Sequence, residues 1–223
     1  MLEPNDPTAS ATLYPAQPIG VTRLSINEIE GLCLKAARGA GFGWGLAEEA
    51  GYAAGWLAGH GIDGAAMVLA RLQLTDAPVT ALEAGLWRGD QGRALCPIAL
   101  GAALDDHAGL SGIETVTGPV AVPVLVVPFL ARAAKALGLG IVFDWDGGSL
   151  TIGPQVVGLQ QLAKLGVSEL RISAGLQQQA QSVEVPGVGA ETLAALNSYA
   201  MRITVPASAS SRQDAGAASS DND

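Results

Sequence analysis

The sequence predicts an α+β (mixed α/β) fold in which a helical N-terminal half, 22–90, packs on a C-terminal half, 94–205, holding a mixed sheet with helices. Three observations lead there. Residues 24–74 read as three consecutive helices with unusually small packing surfaces. From Ile113 onward the apolar residues come instead in short β-branched runs separated by glycine and proline, the pattern of strands. Between those runs lie apolar-periodic stretches that end in glycine, as helices do.

The first helix announces itself with Ser25 and Glu28 in the S-x-x-E relation of a capping box, and Leu24 and Ile29 supply the matching hydrophobic staple. Ile29, Leu32, Cys33, Ala36, Ala37 and Ala40 then recur on one helical face until Gly39, Gly41 and Gly43 break the run. In the second segment Ala47, Ala50, Gly51, Ala54 and Ala58 form a stripe that lets another backbone approach closely. A larger residue at Ala54 is therefore expected to overpack the contact, costing about 1–3 kcal/mol in chemical denaturation. Glu48 and Glu49 fall early in this helix, where a solvated acidic face is expected. Asp63 in HGIDGAA is placed to cap a third helix carrying Met67, Val68, Leu69 and Leu72.

Further along, Thr80–Trp87 reads as a last short helix stopped by Gly89, with Trp87 closing the core and Arg88 in solvent. The stretch 94–109 ends in Asp105, Asp106 and His107. Adjacent residues point in different directions and no second cluster completes a site, so a solvated turn or helix end is expected rather than a metal centre. The runs IETVT, VAVPVLVVPF, IVFDWD, SLTIG and SELRIS read as strands, and Gly147-Gly148 as a two-residue hairpin turn with both residues at positive φ. Alternation places Val142, Asp144 and Asp146 on one face and Ile141, Phe143 and Trp145 on the other. FLARAAKALG reads as a helix with Leu130, Ala133, Ala134 and Leu137 inward, Arg132 and Lys135 outward and Gly138 as its stop. VVGLQQLAKLG and GAETLAALNSYAMR read as two more. The helix, glycine and strand layout occurs twice, which fits either a structural repeat or two ordinary α/β crossovers.

The formal net charge of −9 and scattered cations disfavour nucleic acid and anionic membrane as partners. The most apolar run, Val120–Ala131, is too short for a membrane span and is punctuated by Pro123 and Pro128. Residues 1–20 lack a basic, then apolar, secretion signal and read as a flexible leader, so a cytoplasmic location is expected; 206–223 reads as a mobile tail. Cys33 and Cys96 are expected as reduced core thiols. The GFG and GHG patterns do not follow a strand, G-x-S-x-G is absent, and no cofactor or metal is implied.

Two functional classes remain open, and whether the protein is an enzyme is left undecided. One is a metabolic accessory or binding module, a homo-oligomer or a subunit beside another protein. In it the tail residues Arg212, Asp221 and Asp223 would dock on a partner. The other is an enzyme acting on a small organic or amino acid. There His60 and a carboxylate, Asp63 or Asp144, would do acid/base work, Arg71 or Arg88 would hold a substrate carboxylate, and Asp144 would face the ligand. Against that, His60 also suits a helix end and Asp63 an N-cap.

The segments LSINEIEGLCLKAARGAGFGWGLAEEAG, PVLVVPFLARAAKALG with DWDGG, and VPASASSR with a terminal DND together resemble a bacterial family of unknown function whose members are about this long. That resemblance implies no activity and no catalytic residues. The leading helices are also similar, more distantly, to the N-terminal part of the non-Rossmann malate and L-lactate dehydrogenase family. His60 matches its first histidine, while the acid/base histidine falls near Asp63 and is absent.

Overall fold

The computed structural model describes residues 20–74, 80–83, 86–111, 113–153, 156–176 and 186–203 of the chain. Nearly all of the expected leader, the tail, and with it Arg212, Asp221 and Asp223, lie outside them.

After the short strand β1 (Val21–Thr22), Ser25 opens α1 (Ile26–Gly39) with the full capping box. Its hydroxyl accepts from the Glu28 N–H at 3.3 Å, and the Glu28 carboxylate accepts from the Ser25 N–H at 2.7 Å. The Ser25 backbone bond, then its side-chain bond, hold the Glu28 carboxyl below its ordinary value of 4.5. A carboxylate stabilised in this way contributes stability above pH 4.5 that is lost as the pH falls through its lower folded value. In thermal melts from about pH 7 down to about pH 3, the margin of wild type over Glu28→Gln is expected to shrink below the ordinary carboxylate range.

Helix α2 (Trp44–Gly59) lies against α1, and its small residues Ala47, Ala50, Gly51, Ala54 and Ala58 are all buried. The two backbones nearly touch. A Cβ on Gly51 would stand 2.7 Å from the Glu30 carbonyl oxygen, and one on Gly64 would stand 2.1 Å from that of Ala54. Gly64 starts α3 (Gly64–Leu72), capped as expected by the Asp63 carboxylate, which accepts from the Ala66 N–H at 2.9 Å. Within this packing Cys33 is fully buried, and its thiol is pushed up to about 12, first by burial and then by the charge of Asp63. Because the thiol ionises near 9 once unfolded, its contribution is complete below pH 9 and is lost as the pH rises toward 12. Native protein at about pH 8 should therefore leave Cys33 unalkylated by iodoacetamide, and denaturant should expose it.

Residues 80–88 overturn the expected short helix. They form β2 (Thr80–Glu83) and β3 (Leu86–Arg88), antiparallel with Thr80 opposite Arg88. Pairing with a distant strand outweighs a weak local helical preference, since β3 runs parallel to β4 (Thr115–Thr117). Trp87 is buried and Arg88 exposed, as expected. Between those strands runs α4 (Pro97–Ser111), so Asp105, Asp106 and His107 sit on a helix body.

In VAVPVLVVPF only β5 (Val120–Ala121) is extended, which corrects the strand reading. Val122 turns the chain at φ +43°, Pro123–Val126 form a 3₁₀ turn, and Val127 begins α5 (Val127–Leu137) with Pro128 in its first turn. Proline has no N–H for a ladder but suits a helix start. Leu130, Ala133 and Ala134 are buried and Gly138 ends the helix at φ +67°, as expected, but Leu137 is exposed at the helix end and Arg132 is drawn inward.

β6 (Gly140–Trp145) and β7 (Gly148–Ile152) form the expected hairpin one residue out of the expected register. Trp145 pairs with Gly148, so the turn is Asp146-Gly147 and only Gly147 takes positive φ. Gly148 instead serves cross-strand packing, for a Cβ there would meet the Trp145 indole at 2.4 Å. Ile141, Phe143 and Trp145 are buried while Val142 and Asp144 are half-buried, as the alternation implied. Next, α6 (Leu159–Leu162) is a single turn, and the following strand splits into β8 (Val167–Ser168), paired with β5, and β9 (Leu170–Gly175). This is not a second copy of α5 followed by β6.

Among the described residues the main sheet has the order β2-β3-β4-β9-β6-β7, with β3–β4 its parallel pair. Phe129 on α5 and Ile141 and Phe143 on β6 are fully buried, and a Cβ on Gly101 of α4 would strike the Phe129 ring at 2.1 Å. The chain then returns to the helices. β10 (Val188–Gly189) pairs with β1, and α7 (Ala190–Ala200) packs on α1, where a Cβ on Gly39 would lie 1.6 Å from the Tyr199 carbonyl oxygen. Helical layer and main sheet thus each draw on both of the expected halves, 22–90 and 94–205. Among the described residues, no helix is long and apolar enough to cross a membrane.

Candidate functional site

Of the residues proposed from sequence for chemistry, His60, Asp63 and Arg71 are each engaged locally, and Arg88 and Asp144 stand on separate strands. His60 follows the last turn of α2, where its Nδ1 donates to the Trp56 carbonyl at 2.7 Å and its ring stacks on the Trp56 indole, centroids 3.7 Å apart. Among the described residues, no hydrogen bond or ion pair joins it to a carboxylate. Asp63 spends its carboxylate on the α3 cap. Arg71 is buried, with Nε donating to Cys96 Sγ at 3.1 Å and the guanidinium 5.0 Å from the Phe42 ring centroid. Cys33 and Cys96 are both free thiols. Arg88 is exposed on β3, and Asp144 lies on β6 between its cross-strand neighbours Ser149 and Arg171. In the sheet order β4 and β9 separate those two strands.

What the fold does converge on is Arg132. From α5 its Nη1 and Nη2 bond both Glu49 carboxylate oxygens at 3.1 and 3.0 Å, while Nε reaches Asp105 Oδ2 on α4 at 2.5 Å. The guanidinium lies over Tyr52 and Phe129, at 4.7 and 5.5 Å from their ring centroids, and the Tyr52 hydroxyl donates to the Pro128 carbonyl at 3.1 Å. Two expectations are corrected here: Glu49 is not simply a solvated acid, and Asp105 is not part of a solvated helix end. Asp106 and His107 are exposed; the His107 ring is 5.7 Å from that of Trp87.

Electrostatics explain the inward turn of Arg132. Burial alone would lower its pKa, but hydrogen bonds and charge from Glu49 and Asp105 outweigh that and raise it beyond its ordinary range. Tyr52 is also held above its ordinary value, chiefly by burial and against the opposing pull of Arg132, with Asp105, Glu49 and Glu30 adding to the rise. A guanidinium with three donors committed to two internal carboxylates ties α2, α4 and α5 together; it is not presented to a substrate carboxylate. Among the described residues no group of three or more His, Cys, Asp or Glu is placed to hold a metal ion.

The sequence reading missed this cluster because its members come from three separate helices. A signal was present: Arg132 stands beside Phe129 at i, i+3 on a helix whose one other charge is Lys135, and Glu49 and Tyr52 share the same spacing on α2.

A family described as "Protein of unknown function (DUF3726)" matches residues 24–95, the stretch from the start of α1 through β3 to the approach to α4. The chain is similar to that family over this span, which supports a family of unknown function over a shorter stretch than the sequence resemblance covered. No curated protein and no solved structure matches.

Proposed function

We propose that this protein is an accessory or binding module, or one subunit of an oligomeric assembly, and not itself a catalyst. The observation that carries the reading is His60: its ring is clipped to its own helix through the Trp56 carbonyl and indole, with no carboxylate as partner among the described residues. Asp63 and Arg71 are likewise used by a cap and by the core. The surface meanwhile keeps large apolar side chains in water, Trp44 at 63%, Val157 at 70% and Leu176 at 89% exposure. Of these, tryptophan is the type most enriched where proteins meet.

Native mass spectrometry of the purified full chain tests the reading. An assembly of two or more chains is expected. A monomer that retains a small organic acid, converts it, and loses turnover in His60→Gln would overturn the proposal and favour the acid/base enzyme.

A further inference from the structure

In a chain of net charge −9, three cations gather at one end of the α1–α7 contact. Lys35 and Arg38 are one turn apart on α1, just before Gly39, whose Cα rests against the Tyr199 carbonyl. Arg202, in the 3₁₀ turn Met201–Ile203 that follows α7, stacks its guanidinium 4.3 Å from the Tyr199 ring centroid. Arg38, whose Nη1 donates to the Phe42 carbonyl and whose Nε is buried, lies 4.5 Å from the centroid of Trp44, which is 63% exposed, and Ile203 is 41% exposed. Neither Lys35 nor Arg202 forms an ion pair among the described residues. Of the acids of α2 near this corner, Glu49 is held by Arg132, and Glu48 is exposed one turn from Trp44. A basic, aromatic corner on an acidic protein suits a flexible acidic segment.

We propose that this corner, formed by Lys35, Arg38, Trp44 and Arg202, is the docking site of the chain's own residues 204–223. That segment starts at the corner, directly after Ile203, and carries Asp214, Asp221 and Asp223 against the single cation Arg212. Asp214 is 11 residues past Ile203, a spacer that can span at most about 36–40 Å. Tethering at that length gives an effective concentration on the order of millimolar, so weak ion pairs suffice for occupancy. Docking within one chain would cover Trp44 and take up Asp221 and Asp223, so it competes with the partner contacts of the module reading.

Zero-length coupling of the full chain with a water-soluble carbodiimide, followed by peptide mass spectrometry, tests it. The expected product joins the Lys35 amine to Asp214, Asp221 or Asp223 within one chain. Its yield should drop at least about fivefold in roughly 1 M salt, and Arg202→Glu should lower it as well. The combined variant Asp214→Asn, Asp221→Asn and Asp223→Asn, which changes none of the described residues, should abolish every link through those three side chains. Absence of any Lys35 link to the segment would overturn the proposal. So would links found only between isotopically distinct chains in a mixed sample, which would assign the corner to a second copy.

Discussion

Replacing Gly39 with alanine is expected to destabilise the protein by about 3 kcal/mol or more, at the top of the range for overpacked contacts. The new Cβ would fall 1.6 Å from the Tyr199 carbonyl oxygen, a backbone atom that can yield only if α7 moves off α1. For a chain of this size that loss corresponds to a melting temperature lower by roughly 6–12 °C. Gly31 in the same helix provides the control, because a Cβ there meets nothing within 4 Å. Gly31→Ala should stabilise by about 0.5–1 kcal/mol through helix propensity alone. Equal effects of the two substitutions in urea denaturation would show that α7 does not sit against α1 in solution.

Arg132→Met is expected to cost about 2–4 kcal/mol. Removing one partner of a buried ion pair typically costs about 3–5 kcal/mol, and the lower figure reflects that the Arg132 side chain is 37% exposed. Methionine keeps the packing on Tyr52 and Phe129 while leaving Glu49 and Asp105 without their shared cation. Arg132→Lys should recover only part of the loss, because one ammonium cannot reproduce a fork that engages Glu49 twice and Asp105 once. A double-mutant cycle with Glu49→Gln should show coupling of about 1 kcal/mol or more. Additive effects would mean that the cluster is ornamental.

The parts of the fold readable from sequence were those written in local terms. Ser25 with Glu28, Asp63 before Gly64, and Gly138 after Leu137 each satisfy backbone groups within a few residues, and each end falls where those residues place it. Period-2 alternation over 141–145 likewise sorted buried from half-buried side chains correctly. Failures came where a distant partner decided the outcome. Residues 80–88 became strands because β4 supplies a ladder, and Gly148 left the turn because the Trp145 ring occupies its missing side chain's place. For the site the same rule holds more strongly. His60 and Asp63 stood out because histidine and aspartate in a glycine turn suggest chemistry, yet the fold spends both on helix ends. Arg132, Glu49 and Asp105 were individually ordinary, and only the packing of α2, α4 and α5 gives them a common purpose.

The position of α7 bears on how the chain is made. A ribosome delivers α1 to α3 long before it delivers residues 190–200, an interval of about 6–26 s at typical synthesis rates. Throughout that time the groove at Gly39 lacks its cover and β1 lacks its only described partner strand. The nascent helices therefore wait as an unfinished layer until α7 emerges and completes α1.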